Sequence, residues 1–150
     1  MTKLTFFHQK RRDAAVRTGI EVNDEMVLSR FTAGTEESNS ALLWYIDVRC
    51  ASADSIPVEA PAARAFFYEN EEAIKAGLRA MADELRAGMD ADLWPLRRPV
   101  SGLPEGVTAE VVCSATKRIT DGDLSRVLTD LASHWHEFIE ELNEPVEAVH

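Results

Sequence analysis

Hydrophobic and polar residues alternate most regularly in residues 41–50, with the sequence ALLWYIDVRC. Because successive side chains of a β-strand point to opposite faces, this pattern predicts a strand with one apolar and one mixed face. The apolar face consists of Leu42, Trp44, Ile46, Val48 and Cys50. The mixed face includes Tyr45, Asp47 and Arg49. We expect this strand to lie at the centre of a sheet that the rest of the chain covers.

Weaker alternation predicts three further strands. Residues 16–22 and 26–31 lie on either side of a turn-prone Asn-Asp pair, which favours a hairpin. Together with residues 41–50 they predict an antiparallel meander, and residues 107–115 predict the fourth strand. Residues 3–16 fit either a short helix or the beginning of a strand, and these alternatives stay open.

Two segments have the period of an amphipathic α-helix. In residues 62–87 the apolar side chains recur at spacings of seven, four, three and four, at Phe67, Ile74, Leu78, Met81 and Leu85. The second helix is expected to begin near Thr120 or Asp121 and to end before Asn143. Its apolar stripe consists of Leu124, Val127, Leu128, Leu131, Trp135, Phe138, Ile139 and Leu142.

Two residues interrupt the apolar stripe of the first helix. We expect Asn70 to be a hydrogen-bonded residue at the boundary of the core. Gly77 has no side chain, so we expect another backbone to approach the helix there.

At 150 residues the chain fits one domain, residues 1–150. We predict an α+β fold with the element order β-β-β-α-β-α. About four strands form an antiparallel sheet, and two amphipathic helices pack on one face of it. This element order and the acidic charge resemble those of small acidic bacterial secretion chaperones, although the leucine-rich first helix of that group is not evident.

The net charge of -10 disfavours nucleic acid as a partner, because binding to phosphates requires clustered cations. No run of about 18 apolar residues occurs, so we expect no transmembrane helix and no membrane partner. The N-terminal residues lack the apolar region of a signal peptide, and we therefore expect a cytoplasmic protein. Cys50 and Cys113 fall on apolar strand faces and are expected to be buried, reduced thiols.

The sequence contains no pattern typical of a catalytic or metal site, such as GxSxG, GxxxxGK[ST], GxGxxG or HExxH. His134 and His136 are two residues apart on the predicted helix. Their side chains therefore point about 200° apart and cannot bind the same metal ion. We predict no catalytic residue, no metal and no cofactor.

Residues 90–106 contain three prolines and two glycines and have no hydrophobic period. Proline cannot donate a backbone hydrogen bond, so we expect no regular structure there. Trp94, Arg97 and Arg98 lie in this segment, and tryptophan and arginine are enriched at binding hot spots. The segment is a candidate loop for binding a carboxylate, a phosphate or an acidic peptide. The alternative is that Trp94 packs into the core and the arginines pair with nearby carboxylates.

The mixed face of residues 41–50 is the second candidate binding site. If this face is covered, Asp47 needs a partner such as Arg49 or Arg30, because an unpaired buried charge is costly. If the face lines a groove, Tyr45, Asp47 and Arg49 form its polar floor.

The leading interpretation is a non-enzymatic protein-interaction module, that is, an adaptor, chaperone-like or regulatory protein. It would bind a protein partner or a second copy of itself, and we expect a homodimer. The alternative is a small enzyme or ligand-binding protein with a pocket on the sheet around Tyr45, Asp47 and Arg49, using Asp47 or His134. That alternative requires a deep pocket that contains an ionisable group with a shifted pKa.

Overall fold

The computed structural model describes residues 3–12, 15–23, 42–52, 60–88, 95–115, 121–141 and 146–147. The strands in these ranges are β1 (Lys3–Arg11), β2 (Arg17–Asn23), β3 (Leu42–Ser52), β4 (Leu96–Pro99), β5 (Val107–Ala115) and β6 (Val146–Glu147). The helices are α1 (Ala60–Glu69), α2 (Glu71–Arg86), α3 (Asp121–Ser133) and α4 (Trp135–Glu141).

The strands form one sheet in the order β4-β5-β3-β1-β2-β6. All neighbouring pairs are antiparallel except β2 and the two-residue β6, which are parallel. The chain therefore has the α+β fold with an antiparallel sheet that the sequence predicts. β3 lies between β5 and β1 in the interior of the sheet, so its predicted central position is confirmed.

The N-terminal segment is a strand, and it changes the predicted connectivity. β1 lies between β2 and β3 and pairs with both. The predicted meander, which placed no N-terminal strand between residues 16–22 and residues 41–50, is therefore wrong. Phe6 lies opposite Ile20 on one side and opposite Val48 on the other. Alternation identifies the buried face of each strand but not its neighbour, which explains the wrong prediction. The predicted strand at residues 26–31 lies outside the described residues.

The prediction that residues 90–106 lack regular structure is wrong for β4. This four-residue strand lies at the end of the strand order and pairs with β5. Val100 donates its backbone N–H to the carbonyl of Ala109 at 2.9 Å, so alternate residues of this segment turn their backbone groups toward β5. The backbone nitrogen of Pro99 points away from β5, so pairing with β5 does not require an N–H group at this position. Edge strands therefore tolerate proline.

Both predicted helices are divided by one residue. Asn70 separates α1 from α2, and its side-chain amide donates to the carbonyl of Phe66 at 2.8 Å, so it is hydrogen-bonded as predicted, although it is buried and does not lie at the boundary of the core. His134 separates α3 from α4. Backbone hydrogen bonds cross both interruptions, from Ile74 to Asn70 at 3.1 Å and from Phe138 to His134 at 3.0 Å.

The helices and one face of the sheet enclose a single apolar core, and we call this side of the sheet the helix face. Trp135 is fully buried, with its ring centre 4.5 Å from that of Phe6 and 5.7 Å from that of Phe67. These contacts connect α4, β1 and α1. The strands contribute Leu4, Phe6, Ile20, Trp44, Ile46, Val48, Cys50, Leu96, Ala109, Val111 and Cys113 to this core.

Cys50 and Cys113 are both buried in this core as thiols, as predicted. The Cys113 thiol lies 3.2 Å from the sulfur of Met81. Burial raises the pKa of Cys50 to about 12, so this thiol stays protonated and unreactive at neutral pH. Within the described ranges, none of the helices combines the length and the hydrophobicity that crossing a bilayer requires.

Candidate binding face of the sheet

The sheet face that points away from the core is defined by the strand register. Arg97 of β4 lies opposite Val112 of β5. Val112 in turn lies opposite Asp47 of β3, and Asp47 lies opposite Phe7 of β1. Opposed residues of antiparallel strands share a face, so these side chains form one row of what we call the second face. Its other members include Lys3, Thr5, Gln9, Arg17, Gly19, Tyr45, Arg49, Glu110 and Ser114.

Asp47 lies at the middle of the second face and is only 1% exposed. Its Oδ2 accepts hydrogen bonds from Nη2 of Arg49 at 3.0 Å and from Nε at 3.3 Å. This is one of the two pairings that the sequence suggests for a covered Asp47. The pair compensates the burial of the carboxylate, which would be costly without a cation.

The β1–β2 side of the second face is closed by an aromatic ring. Phe7 is 1% exposed and lies against Gly19, where an added Cβ atom would come 2.6 Å from the ring. The guanidinium of Arg17 lies 5.5 Å from the centre of the same ring. Glycine is therefore required at this position to make room for the ring, and Arg17 covers the ring from solvent.

Arg97 belongs to the same surface, which the sequence could not show. It donates to the carboxylate of Glu110, the residue that lies opposite Arg49. The hydrogen bond and charge of Glu110 raise the pKa of Arg97, and Tyr45 adds to this effect. The structure thus brings Arg97 together with Tyr45, Asp47 and Arg49, which sequence reasoning assigned to a separate site.

Arg98 does not join this group. Neighbouring residues of a strand point to opposite faces, and Arg98 lies opposite Val111 on the helix face. Its Nε donates to Glu84 of α2 at 3.0 Å. Arg97 and Arg98 therefore do not act as one arginine pair, and each has a carboxylate partner. Trp94 lies outside the described residues.

The outward edge of β4 offers little to an added strand. Nη1 of Arg98 donates to the carbonyl of Arg97 at 2.7 Å, which occupies one outward acceptor. Pro99 has no N–H to offer. Short edge strands with occupied or missing backbone groups resist pairing with another chain.

A groove of about 700 Å³ lies between α2 and α3, on the other side of the molecule. It is lined by Arg86, Ser125, Arg126, Thr129, Asp130, Ser133 and His134. Each of its three basic groups has an acidic neighbour: Arg86 lies 3.2 Å from Asp83, Arg126 3.6 Å from Asp123, and His134 3.6 Å from Asp130. Of these three carboxylates, only that of Asp130 belongs to the lining of the groove.

The other two histidines among the described residues, His136 and His8, do not line this groove. His136 lies 3.4 Å from Glu71 and 3.4 Å from Glu140, and its ring stacks on Tyr68. No group of three or more possible metal ligands occurs among the described residues. His8, which sequence reasoning missed, is 6% exposed on the helix face of β1. Its alternation with Leu4 and Phe6 was the available signal.

Comparisons of this chain with protein-family models, with curated proteins and with solved structures gave no match. The geometry of the second face therefore carries the functional argument.

Proposed function

We propose that this chain is a non-enzymatic protein-interaction module that binds an acidic segment of a partner protein on its second face. The observation that carries the proposal is that, in each ion pair of the second face, the arginine is more exposed to solvent than the carboxylate. In the pair of Arg97 with Glu110 the side chains are 56% and 32% exposed, and in the pair of Arg49 with Asp47 they are 30% and 1% exposed. In both pairs the cation is the outer partner.

The arginines of these pairs retain donors for a ligand. A guanidinium has five N–H donors. The bonds to Asp47 use Nη2 and Nε of Arg49, and the bond to Glu110 uses Nη2 of Arg97. Arginine binds carboxylates through such planar pairs of donors, so an incoming carboxylate can bind without breaking either internal ion pair.

The charge balance of the second face differs from that of the whole chain. Among the positions whose side chains are described, the second face holds four cations and two carboxylates, namely Lys3, Arg17, Arg49 and Arg97 with Asp47 and Glu110. The whole chain has a net charge of -10. An acidic partner would be repelled by most of this protein and attracted to the second face, which selects the orientation of binding.

This charge balance also bears on the predicted homodimer. Pairing two second faces would bring the outer guanidiniums of Arg49 and Arg97 toward those of another copy. Like charges across an interface disfavour association. An acidic protein segment fits the face better than a second copy of the chain, and the homodimer stays a prediction that a mass measurement can test.

The alternative of an enzyme or small-ligand-binding protein also stays a prediction. It requires a pocket that reaches Asp47, whereas Asp47 is covered and bonded to Arg49. His134 does line a groove, but the groove lies on the helix side and its charges are paired.

The proposal is tested by fluorescence anisotropy with a labelled hexaglutamate peptide as the probe. We expect salt-sensitive binding by the wild type and a loss of at least about tenfold in Arg17→Gln/Arg97→Gln. The matched control is Arg79→Gln/Arg126→Gln, which removes the same charge from exposed helix positions. No binding, or an equal loss in the control, would contradict the proposal. Tighter binding of a single-stranded oligonucleotide that the same variant abolishes would reassign the face to nucleic acid.

A further inference from the structure

His8 is packed between two aromatic rings from different parts of the chain. Its ring centre lies 5.2 Å from that of Trp44 in β3 and 5.2 Å from that of Phe138 in α4. Nδ1 forms a hydrogen bond of 2.7 Å with the hydroxyl of Thr18 in β2. The imidazole therefore connects α4 to three strands, and it is 6% exposed.

This packing suits a neutral imidazole. A charged ring would lose its hydration between Trp44 and Phe138, and the neutral Thr18 hydroxyl offers little compensation. Burial lowers the pKa of His8 to about 4, despite the opposing effect of Asp130 in α3. The cost of burial is thus the larger effect.

The charged groups around His8 do not stabilise its protonated form sufficiently. Asp130 attracts a positive charge, but its side chain is 66% exposed, where solvent screens the attraction, and it also lies 3.6 Å from His134. His134 in turn lies 3.9 Å from Glu137 of α4. The next residue on the same face of β1 is the cation Lys10, opposite Trp44, and not a carboxylate.

We propose that His8 is an acid-operated latch that holds the C-terminal part of α4 on the sheet and releases it when the imidazole is protonated. α4 is a separate helix of seven residues that begins after the interruption at His134. Its half-buried Phe138 packs on His8 itself. α4 itself contributes two buried residues, Trp135 and Ile139, whereas the longer α2 contributes five, namely Ile74, Leu78, Met81, Ala82 and Leu85. Release is therefore expected to be local.

The direction of the pH dependence follows from the two pKa values of His8. Its ordinary value is 6.5, and its value in the folded chain is about 4. The docked state is fully favoured above pH 6.5 and loses stability as the pH falls toward 4, because the released state then binds the proton more tightly. Between pH 7.5 and pH 5 the opening equilibrium should rise about 30-fold.

Hydrogen-exchange protection factors, corrected for the intrinsic effect of pH, test this latch. We expect the amides of residues 138–141 to lose about 30-fold in protection at pH 5. The amides of residues 78–82 in α2 should not change. In His8→Leu/Thr18→Val, which packs similarly and cannot titrate, the loss should disappear. The control His136→Gln, at a 53% exposed side chain, should retain it.

Three results would overturn the latch. They are an unchanged wild type, a loss in α2 equal to that in α4, and a loss that persists in the double variant. If the double variant does not fold, the NMR titration of the His8 ring in the wild type decides the question. A midpoint near 4 with shifts of the α4 amides on the same curve supports the latch, and a midpoint near 6.5 refutes it.

Discussion

Ile46 and Asp47 are neighbours in β3 and are both inaccessible to solvent, at 0% and 1% exposure, yet different kinds of contact bury them. Ile46 lies in the core under the helices, where apolar contacts cover it. Asp47 lies in the second face, where the guanidinium of Arg49 covers it. The helix face is thus held by packing under the helices, whereas the second face combines the buried Phe7 and Val112 with charged pairs whose arginines are partly exposed.

The difference matters for function because the two faces differ in whether a contact can be replaced by a ligand without exposing the core. Removing a helix from the helix face would expose Trp135, Phe6 and Phe67 to water. On the second face, the Arg97 side chain is 56% exposed, so a carboxylate can bind to its outer N–H donors and leave without unpacking the core. The second face is therefore suited to reversible binding.

The largest expected effect lies on the helix face. Trp135→Ala should lower the free energy of unfolding by about 3–5 kcal/mol, because it leaves a cavity between β1 and α1. Urea denaturation followed by circular dichroism measures this loss. A decrease below about 1 kcal/mol would show that packing does not hold this face in the way described.

A smaller effect is expected at the buried ion pair of the second face. Arg49→Met should cost about 1–3 kcal/mol, because the Asp47 carboxylate stays buried without its guanidinium. Asp47→Asn/Arg49→Met should recover part of this loss, since it removes the buried charge as well. The comparison of the two variants by urea denaturation distinguishes the charge pair from simple packing, and an additive loss would contradict it.

The two glycines that face other elements provide a matched pair. Gly19→Ala would place Cβ 2.6 Å from the Phe7 ring, and we expect a loss of about 1–3 kcal/mol from the displaced ring. Gly77→Ala would place Cβ 3.2 Å from a methyl group of Val100. There the gain in helix propensity of about 1 kcal/mol offsets the tight contact, so we expect little change in stability. Thermal unfolding of both variants checks the order, and a larger loss at Gly77 would reverse the comparison.

The smallest expected effect on stability lies at the rim of the second face. Glu110→Gln should change the free energy of unfolding by less than about 1 kcal/mol. It should also tighten the binding of hexaglutamate, because the second face loses a negative charge that repels the peptide. Weaker binding of the peptide by Glu110→Gln, measured by anisotropy, would show that Arg97 does not contact the ligand.

The sequence predicts the helix face better than the second face, for a physical reason. The positions of Trp44, Ile46 and Val48 in the core follow from local alternation, and the apolar stripe of α2 follows from its period. The placement of Arg97 and Asp47 on the same sheet face depends on the register of β4, which the prolines at positions 95 and 99 obscured. Gly77 illustrates the same limit: it makes room for the side chain of Val100 and not for the expected backbone.

His8 shows that the local sequence pattern also does not predict which distant residues surround a buried side chain. Its place in the alternation of β1 was visible beside Phe6, but its contact with Phe138 joins residues far apart in the chain. Trp94 and residues 26–31 lie outside the described residues, so their predicted roles stay predictions.

NMR mapping of hexaglutamate binding on the isotopically labelled chain tests the central claim most directly. The account predicts that the amides of Arg49, Arg97 and Glu110 shift in proportion to bound peptide, while those of α2 and α3 do not. Shifts confined to the groove around Arg86 and His134, or no shifts at all, would contradict a binding role for the second face.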